Sequence, residues 1–511
     1  MPKFSRTRGA IAAGHSETAA AGELMLELGG NAFDAVLAAF LAAGVCEPTL
    51  TSLGGGGFMT AYTQNRKARV YDFFVQTPLA KNPHHQTEIL ESEIRFGTAR
   101  QLQFIGKGTV ATPGAVKGVF DIHKQLGKLP IREVFGPAIS LARNGVVITD
   151  YQAFTFGMLE AVLTSNPEIK KIFAPGGTLL REGDTMFQPQ LADTLEWLMQ
   201  QGAREFYEGE IARLLVKDHE ENKGSLAAAD LSGYSLTERL PLTAPAGPFT
   251  LLTNPPPSPG GSLIVAGLRM LDSLNRTAHP ETHQAWLDLT WAMGGMEQFR
   301  DTKLSPALNR NPQLVLSSAE IDRILGELNL WGNTTHISVI DEQGNAASLT
   351  SSLGGCSGAL IPQTGITLNN MLGEPDLLPD GPGSWLPGRR VGSMMSPGIL
   401  LEGDVPRFAL GTGGSSRIRT AMVQVIRLLA VHGLDPEAAI LFPRIHIERG
   451  VLHHEPGIEP SFFSNLPLER LVSWEAPNMF FGGVHLAGLA PNGQLQAMAD
   501  PRRKGESRIV Q

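Results

Sequence analysis

Hydrophobic positions near the start of the chain recur first at helical and then at extended spacing. Apolar residues at intervals of three and four predict a helix over residues 16–28, with Ser16 as its cap and Gly29–Gly30 at its end. A second, more uniformly apolar helix is predicted over 31–45. Apolar residues bounded by turn signals then predict strands over 58–62 and 68–74. The first part of the chain therefore combines helices with strands.

Helical spacing dominates the middle of the chain, and extended patterns return after it. Helices are predicted throughout 115–215, strands over 234–257, and further helices over 262–274, 282–300 and 419–432. Strands and helices follow one another without a regular strand-helix-strand rhythm. This order favours layers of sheets and helices over a doubly wound parallel sheet.

A β-hairpin is the most regular extended feature. Residues 335–341 alternate between polar and apolar types, Glu342–Gln343–Gly344 supply a turn, and 345–353 continue as a second strand. Because glycine tolerates a left-handed backbone, a three-residue loop that ends in glycine is a common hairpin connection. The turn therefore fixes the register of the two strands.

This register brings two hydroxyl side chains together. With Asp341 opposite Asn345, Thr334 faces Ser352 across the hairpin. Such a pair stabilises a sheet by a few tenths of a kcal/mol, roughly. On this pattern alone, a stabilised sheet is favoured over a catalytic site.

Composition and charge narrow the class of protein. The 511 residues are 42% hydrophobic and 18% charged, which indicates a large folded core rather than disorder. A net charge of -8 without a basic block gives no electrostatic footprint for nucleic acid. The longest apolar run, residues 35–46, is too short to span a bilayer, and no apolar signal segment precedes it. We therefore expect a cytoplasmic protein with neither a nucleic-acid nor a membrane partner.

Several familiar motifs are absent or incomplete. The glycines at 54–57 lead into a strand rather than a helix and lack the third glycine of a dinucleotide site, whereas 411–416 lack the phosphate-binding lysine. No Gly-x-Ser-x-Gly turn occurs, and Pro456–Gly457 break the histidine pair at 453–454. Cys46 and Cys356 are too few for a disulfide scaffold. No metal and no cofactor are predicted.

Segments spread over nearly the whole chain resemble the gamma-glutamyltranspeptidase family of N-terminal nucleophile hydrolases. Each is short, and their shared order makes the resemblance specific. In chain order they are residues 29–35 (GGNAFDA), 47–48 (EP), 53–58 (LGGGGF), 112–114 (TPG), 206–209 (FYEG), 255–261 (PPPSPGG), 334–339 (TTHISV), 365–370 (GITLNN), 393–397 (SMMSP), 411–417 (GTGGSSR) and 500–503 (DPRR).

The resemblance implies an α/β fold, a four-layer αββα sandwich of the N-terminal nucleophile hydrolase type. It also implies a precursor that cuts itself between Asn333 and Thr334, so that fragments 1–333 and 334–511 form one heterodimeric fold. The cut would free an α-amine with an ordinary pKa of about 7.7–8.0, which can serve as the base for the threonine hydroxyl. Thr334 would then supply both nucleophile and base.

Further catalytic positions follow from the same resemblance. Ser352 stands where the family has a threonine whose hydroxyl contacts the nucleophile, in agreement with the hairpin register. The glycine-rich loop implies an oxyanion hole made by the backbone N–H groups of Gly414 and Ser415, with Gly413 one position away.

The substrate pocket departs from the family. The arginine that grips a glutamyl carboxylate is replaced by Phe74, and an asparagine is replaced by Gly354. In the remaining pocket positions, one serine is kept and three residues are changed: Ser393 stays, and Met371, Glu374 and Met394 stand for glutamine, aspartate and serine. A charged glutamyl head without these partners binds badly, because desolvated charges need counterions. The three large apolar residues also favour a smaller substrate.

A member with this pocket resembles the oxamate amidohydrolase branch, which acts in bacterial purine breakdown. The implied reaction is hydrolysis of the small amide oxamate to oxalate and ammonia, with Arg390, Arg389 or Arg417 as candidates for the substrate carboxylate. Two alternatives stay open: a gamma-glutamyl hydrolase or transpeptidase acting on glutathione-like substrates, and an unprocessed, non-catalytic member. An acylase for bulky amides is disfavoured by the filled pocket.

Overall fold

The computed structural model describes residues 7–81, 87–96, 99–275, 277–300, 304, 334–374, 377–378 and 381–511. Within these ranges most of the predicted elements are present, with ends that differ by one to three residues. The predicted segment 58–62 becomes strand β2, and the segment 282–300 becomes a helix from His283 to Phe299.

The first of two large sheets is antiparallel and has seven strands in the order β20-β1-β11-β12-β2-β3-β8. Its members are β1 Gly9–Ala13, β2 Gly56–Tyr62, β3 Ala68–Phe73, β8 Thr237–Arg239, β11 Thr334–Asp341, β12 Ala346–Ser352 and β20 Glu506–Val510. The hairpin β11–β12 has the predicted register, with Thr334 opposite Ser352, and Gly344 in its turn has a φ of 84°. The hairpin prediction is confirmed.

The second large sheet has six antiparallel strands in the order β19-β18-β14-β13-β10-β9. Its members are β9 Leu242–Ala246, β10 Phe249–Thr253, β13 Gly398–Glu402, β14 Val405–Gly413, β18 Gly483–Leu489 and β19 Leu495–Met498. The remaining strands form small sheets: β4 Leu90–Phe96 with β5 Ala99–Ile105, β6 Val146–Val147 with β7 Thr185–Met186, and β15 Ile445–Glu448 with β16 Val451–His454 and β17 Arg470–Ser473.

The described helices cover the outer faces of the sheets and fill the connections. They are α1 Ser16–Glu27, α2 Ala32–Cys46, α3 Ala115–Leu126, α4 Ile131–Asn144, α5 Asp150–Met158, α6 Glu160–Leu163, α7 Pro167–Phe173, α8 Pro189–Gln201, α9 Arg204–Glu208, α10 Glu210–Glu221, α11 Ala228–Ser232, α12 Pro259–Ser273, α13 His283–Phe299, α14 Arg417–Ala430 and α15 Pro436–Leu441.

Four layers result from this packing. Helices α1 and α2 lie against β1, β11 and β12, the inner face of the first sheet packs on β14 and β18, and α12 and α14 cover the second sheet. Helix α2 is buried nearly all round because it lies between the sheet and α4, which explains its uniformly apolar sequence. The predicted αββα sandwich is confirmed.

Two details differ from the sequence expectation. The cap of α1 is His15, whose ring Nδ1 accepts a hydrogen bond from the backbone of Glu17, and Ser16 is already helical. Strand β1 was not predicted. Its five residues GAIAA are all buried between the helices and the second sheet, so they show no alternation of polar and apolar types.

Each large sheet takes strands from both sides of position 334. In the first sheet, β11 and β12 lie between β1 and β2, which come from the other end of the chain. In the second sheet, β10 pairs with β13. The two proposed fragments would therefore share both sheets.

Candidate active site

A row of small polar residues crosses the end of the first sheet. Thr334 on β11 pairs with Ser352 on β12, which pairs with Gly56 on β2. Both hydroxyl residues are buried, with 4% and 5% of their surface exposed. The Ser352 hydroxyl accepts a hydrogen bond from the backbone N–H of Gly354 at 3.1 Å. The strand register thus brings the proposed nucleophile and its hydroxyl neighbour together.

Glycines let the second sheet approach the start of β11. A Cβ on Gly413 would lie 2.1 Å from the carbonyl oxygen of Thr334, and one on Gly411 would lie 2.3 Å from the ring of His336. Neither distance is possible for a real side chain. Residues Thr334 and His336 therefore face the second sheet, whereas Thr335 faces the helices.

Behind the nucleophile position, a buried carboxylate joins the sheet to two helices. Glu47, at the end of α2, accepts hydrogen bonds from the hydroxyls of Thr335 at 2.6 Å and Thr18 at 2.8 Å. Burial raises the pKa of Glu47, and the two hydroxyl donors and the nearby Arg503 oppose this shift. The carboxylate is thus held in place by donors from β11 and α1.

Arg503 is anchored directly on Thr334, the proposed nucleophile. Its Nη1 donates to the Thr334 carbonyl oxygen at 2.9 Å, and its side chain is 5% exposed. The preceding Asp500 is paired with Arg444 at 2.7 Å, which helps hold its pKa below the ordinary value against the effect of burial. The segment that carries Arg503 is therefore fixed by buried ion pairs.

The loop after β14 has the unusual backbone expected near an oxyanion hole. Gly414 has a φ of 128° and Ser415 a φ of 51°, a left-handed value that is uncommon for a residue with a side chain. Helix α14 begins two residues later with Arg417, whose Nε donates to the Phe480 carbonyl oxygen at 3.1 Å. Arg417 braces the loop, so its guanidinium is engaged away from a substrate.

A narrow cavity surrounds the start of β11. We call it the nucleophile cavity, and its lining residues are Gly14, Glu47, Leu50, Tyr151, Thr334, Thr335, His336, Gly413, His485 and Arg503. Burial lowers the pKa of His485 to about 4 and that of His336 well below its ordinary value. Both imidazoles are therefore neutral at pH 7.

Three polar residues of this cavity form what we call the polar flank: Glu47, Tyr151 and Arg503. They lie on the side of β1. A Cβ on Gly14, just after β1, would be 2.4 Å from the Glu47 carboxylate, and one on Gly505 would be 2.9 Å from the β1 backbone. The segment of Arg503 is tied to the start of α5 by an ion pair of 2.9 Å between Lys504 and Asp150.

The substituted pocket residues form a contrasting apolar flank, defined by Phe74, Met371 and Met394. All three belong to one hydrophobic cluster and are 0%, 1% and 7% exposed. Phe74 follows β3 and packs on Phe58 with ring centroids 5.3 Å apart. A Cβ on Gly354 would lie 3.2 Å from both Met371 Sδ and Glu374 Oε1. Met371 and Glu374 thus lie close to the Ser352 end of the sheet.

The other predicted pocket residues have structural partners. Ser393 Oγ accepts a hydrogen bond from the Met395 backbone at 3.1 Å. Arg390 stacks on the ring of Tyr234 and donates to its hydroxyl and to the carbonyl oxygens of Phe74 and Ser235. This guanidinium supports the backbone beyond β3 and is engaged by these partners, which argues against the predicted contact between Arg390 and a substrate carboxylate. Asn333, the other side of the predicted cleavage site, lies outside the described residues.

Sequence reasoning assigned no role to the polar flank. Glu47 and Arg503 belong to segments that resemble the family, at 47–48 and 500–503. A charged side chain in such a segment was the signal that could have pointed to these two residues. Tyr151 had no such signal, because only the fold brings α5 to the end of β11.

The Gamma-glutamyltranspeptidase family model matches residues 18–510. The chain belongs to the gamma-glutamyltranspeptidase family. Members cleave amide bonds, and the chain is accordingly a hydrolase that acts on C–N amide bonds. Its αββα sandwich is the architecture expected of an N-terminal nucleophile hydrolase.

Similar proteins include glutathione hydrolases and acylases. The chain is 28% identical to the glutathione hydrolase proenzyme of Bacillus subtilis (strain 168), over 97% of this chain and 90% of the relative. It is 30% identical to the acylase ACY 1 proenzyme of Pseudomonas sp. (strain SE83), over 98% and 93%. The crystal structure of cephalosporin acylase from Bacillus halodurans superposes with a TM-score of 0.82 at 23% identity, covering 98% of this chain and 96% of that one, and supports the fold.

The described residues contain no cluster of three or more histidine, cysteine, aspartate or glutamate side chains arranged to hold a metal ion. No helix among them is both long and apolar enough to cross a bilayer. Cys46 and Cys356 are buried free thiols.

Proposed function

We propose that the protein is an autoprocessing threonine amidohydrolase that acts on a small amide, with oxamate as the leading substrate. The observation that carries this proposal is the juxtaposition of an intact nucleophile row, Thr334 with Ser352 and Gly413, and an apolar flank at the positions where a glutamyl head needs ionic partners. The nucleophile machinery is compatible with any amide, whereas the flank restricts the acyl group.

Processing would create the catalytic base. Cleavage of the Asn333–Thr334 bond frees the α-amine of Thr334, whose ordinary pKa of about 7.7–8.0 leaves a useful neutral fraction near pH 7. This amine can accept the proton of its own hydroxyl, because one residue holds both groups. The buried hydroxyl of Ser352 would orient the nucleophile's oxygen.

The reaction then proceeds by acyl transfer to water. The Thr334 hydroxyl oxygen attacks the amide carbon, and the α-amine takes the hydroxyl proton. Backbone N–H groups of Gly414 and Ser415 stabilise the oxyanion, a contribution of about 2.7–4 kcal/mol per donor. The C–N bond breaks as the amine returns the proton to nitrogen, and ammonia leaves. Water hydrolyses the threonine ester in the same manner, so oxamate and water yield oxalate and ammonia.

The packing of the apolar flank supports an acyl group without a charged glutamyl head. Phe74, Met371 and Met394 are packed in the hydrophobic core and offer no partner for an α-ammonium or α-carboxylate group. Placing such charges against apolar side chains is unfavourable by several kcal/mol, roughly. Oxamate has only a carboxylate next to its amide, so it needs one set of donors near Thr334.

The decisive experiment combines intact mass with an ammonia assay. We expect purified protein to consist of fragments 1–333 and 334–511 and to release ammonia from oxamate. Thr334→Ala should abolish the cleavage into fragments and the release of ammonia. Thr250→Ala, at an exposed position of β10, should change neither cleavage nor ammonia release. An active preparation in which residues 333 and 334 are still joined contradicts the mechanism. If processed protein does not hydrolyse oxamate, the assignment of oxamate as the substrate is wrong.

A gamma-glutamyl hydrolase or transpeptidase is the second candidate, and the position of Glu374 favours it. This buried carboxylate lies next to Gly354, close to the Ser352 end of the sheet, where an anion would suit a substrate amine. Release of aniline from a gamma-glutamyl anilide at a higher kcat/KM than ammonia from oxamate would establish this alternative. A single full-length band on a denaturing gel, without activity, would establish a non-catalytic member.

The fragment pair follows from the same proposal. Because each large sheet takes strands from both sides of position 334, the fragments should stay together after cleavage and separate only in denaturant. Gel filtration of processed protein tests this expectation. A cytoplasmic location and a place in purine degradation stay predictions from the sequence.

A further inference from the structure

A carboxylate adjacent to the scissile carbonyl requires donors within a few ångströms of Thr334. The sequence offered Arg390, Arg389 and Arg417. The guanidinium groups of Arg390 and Arg417 are engaged elsewhere, on Tyr234 and on Phe480, and Arg389 is exposed at the surface. The cation that lines the nucleophile cavity is Arg503. The candidate partner for a substrate carboxylate therefore lies in the polar flank.

Arg503 is held in place but not saturated. Its Nη1 donates to the Thr334 carbonyl oxygen at 2.9 Å, and its Nη2 lies 3.4 Å from the position of a Cβ on Gly414. Its Nε is buried and donates no hydrogen bond within the part of the chain that the structure describes. A buried N–H without an acceptor destabilises the protein, so a ligand that accepts a hydrogen bond from it is favoured.

Tyr151 contributes a second unused donor to the same cavity. Its hydroxyl oxygen is shielded from solvent and has no hydrogen-bond partner among the described residues. Burial raises the pKa of this phenol, with Arg503 and Glu47 as the charged groups that act on it. The hydroxyl is therefore a neutral donor at pH 7. Its position beside Arg503 pairs one charged and one neutral donor.

Glu47, the acidic residue of the polar flank, is held by two hydrogen bonds. Both of its oxygens accept hydroxyl hydrogens, from Thr335 and Thr18, which direct the carboxylate toward the first sheet and α1. Burial raises its pKa, and the hydrogen bond from Thr335 is the largest of the contributions that oppose this shift. The polar flank thus presents Arg503 and Tyr151 as donors and keeps its acidic residue engaged.

We propose that Arg503 and Tyr151 form a subsite for the carboxylate of a short amide acid whose carboxylate is adjacent to the amide being cleaved. This inference rests on the proposed function and specifies which residues select the substrate. Oxamate places its carboxylate one bond from the reacting carbon, which matches a donor set attached to the nucleophile residue itself. Charge-assisted hydrogen bonds from a guanidinium and a phenol recognise such a group.

The test compares two substrates that differ only in this group. Oxamide carries the same scissile amide as oxamate but replaces the carboxylate with a neutral carboxamide. We expect Tyr151→Phe to lower the ratio of kcat/KM for oxamate to that for oxamide by about 10-fold, and Arg503→Lys to lower it further. Tyr62→Phe, whose hydroxyl donates to the backbone of Asp404, should leave the ratio unchanged. If Tyr151→Phe lowers kcat/KM for both substrates by the same factor, the proposed subsite is wrong.

Binding of oxalate separates this inference from the proposed function. If wild-type protein releases no ammonia from oxamate, the proposed substrate is wrong, and calorimetric titration with oxalate still judges the subsite. A Kd for oxalate that rises about 10-fold in Tyr151→Phe supports it. Wild-type protein that binds no oxalate, or a Tyr151→Phe variant with unchanged Kd, overturns it. The Arg503→Lys variant is informative only if its intact mass shows cleavage between residues 333 and 334. Tyr151→Phe removes an oxygen that forms no hydrogen bond with any described residue.

Discussion

The polar and apolar flanks of Thr334 obey different physical rules. The polar flank depends on single atoms: Arg503 donates to the Thr334 carbonyl, and Glu47 accepts from two hydroxyls. The apolar flank depends on volume, since Phe74, Met371 and Met394 are parts of a packed cluster. A change of one atom should therefore damage the polar flank, whereas the apolar flank should tolerate changes that conserve volume. Under the proposed function, the polar flank would hold the groups around the nucleophile, and the apolar flank would limit the acyl group.

The largest effect is expected from Gly413→Ala. The new methyl group would lie 2.1 Å from the Thr334 carbonyl oxygen and 2.8 Å from Arg503 Nη1, so the backbone must move. A displacement of about 1 Å at a nucleophile costs roughly 100-fold in rate. We expect at least that loss in kcat/KM, measured on an amide substrate. Gly294→Ala has open space around the new methyl group and serves as the control. Full activity of Gly413→Ala would show that the close approach of Gly413 to Thr334 is not needed for catalysis.

A matched pair of isosteric changes tests the rules of the two flanks. Thr335→Val removes one donor from the buried Glu47 carboxylate and should lower the free energy of unfolding by about 1.5–3 kcal/mol. Met371→Leu conserves volume and should cost less than about 1.5 kcal/mol. Urea midpoints of the two variants provide the measurement. Equal losses, or a larger loss for Met371→Leu, would contradict the comparison.

Met394→Ser should widen the choice of acyl group. It restores the serine that the family has at this position and removes buried volume, so a longer amide acid gains space. We expect the ratio of kcat/KM for succinamate to that for oxamate to rise about 10-fold, with a loss of roughly 2 kcal/mol in stability. Met293→Ser, in α13 of the same cluster, should lose stability without changing the ratio. An unchanged ratio in Met394→Ser would separate Met394 from the acyl pocket.

Acid should lower the stability of the fold through the buried imidazoles that line the nucleophile cavity. Burial lowers the pKa of His485 from 6.5 to about 4, so the folded protein holds this ring neutral while the unfolded chain protonates it. Its contribution to stability is complete above pH 6.5 and is lost as the pH falls toward 4. At pH 5.5 the loss is about 1.4 kcal/mol. Urea midpoints between pH 7 and 5.5 should fall less in His485→Asn than in wild type, whereas the exposed His279→Asn should follow wild type.

The sequence predicts local geometry well where one turn fixes it. The three-residue loop ending in Gly344 determined the register, and with it the contact between Thr334 and Ser352. Strand β1 was missed because all of its residues are buried, which removes the alternation that marks a strand. Burial on both faces thus hides a strand from pattern reasoning.

The polar flank shows a second limit of prediction from sequence. Tyr151 and Arg503 are 352 residues apart along the chain, and only the finished fold brings them to Thr334. Nearness to Ser393 in sequence predicts Arg390 as a partner for the substrate carboxylate, yet its guanidinium stacks on Tyr234. Proximity along the chain is a poor guide to a guanidinium, since a long side chain can reach many partners.

The interleaving of the sheets has a consequence for synthesis. Strands β11 and β12 lie between β1 and β2 in the first sheet, so a polypeptide that ended before residue 334 would lack the middle of that sheet. Such a truncated product would expose unpaired strand edges, which promote aggregation. Translation as a single polypeptide supplies the central hairpin at high local concentration, so the gene cannot be split at this point without losing that advantage.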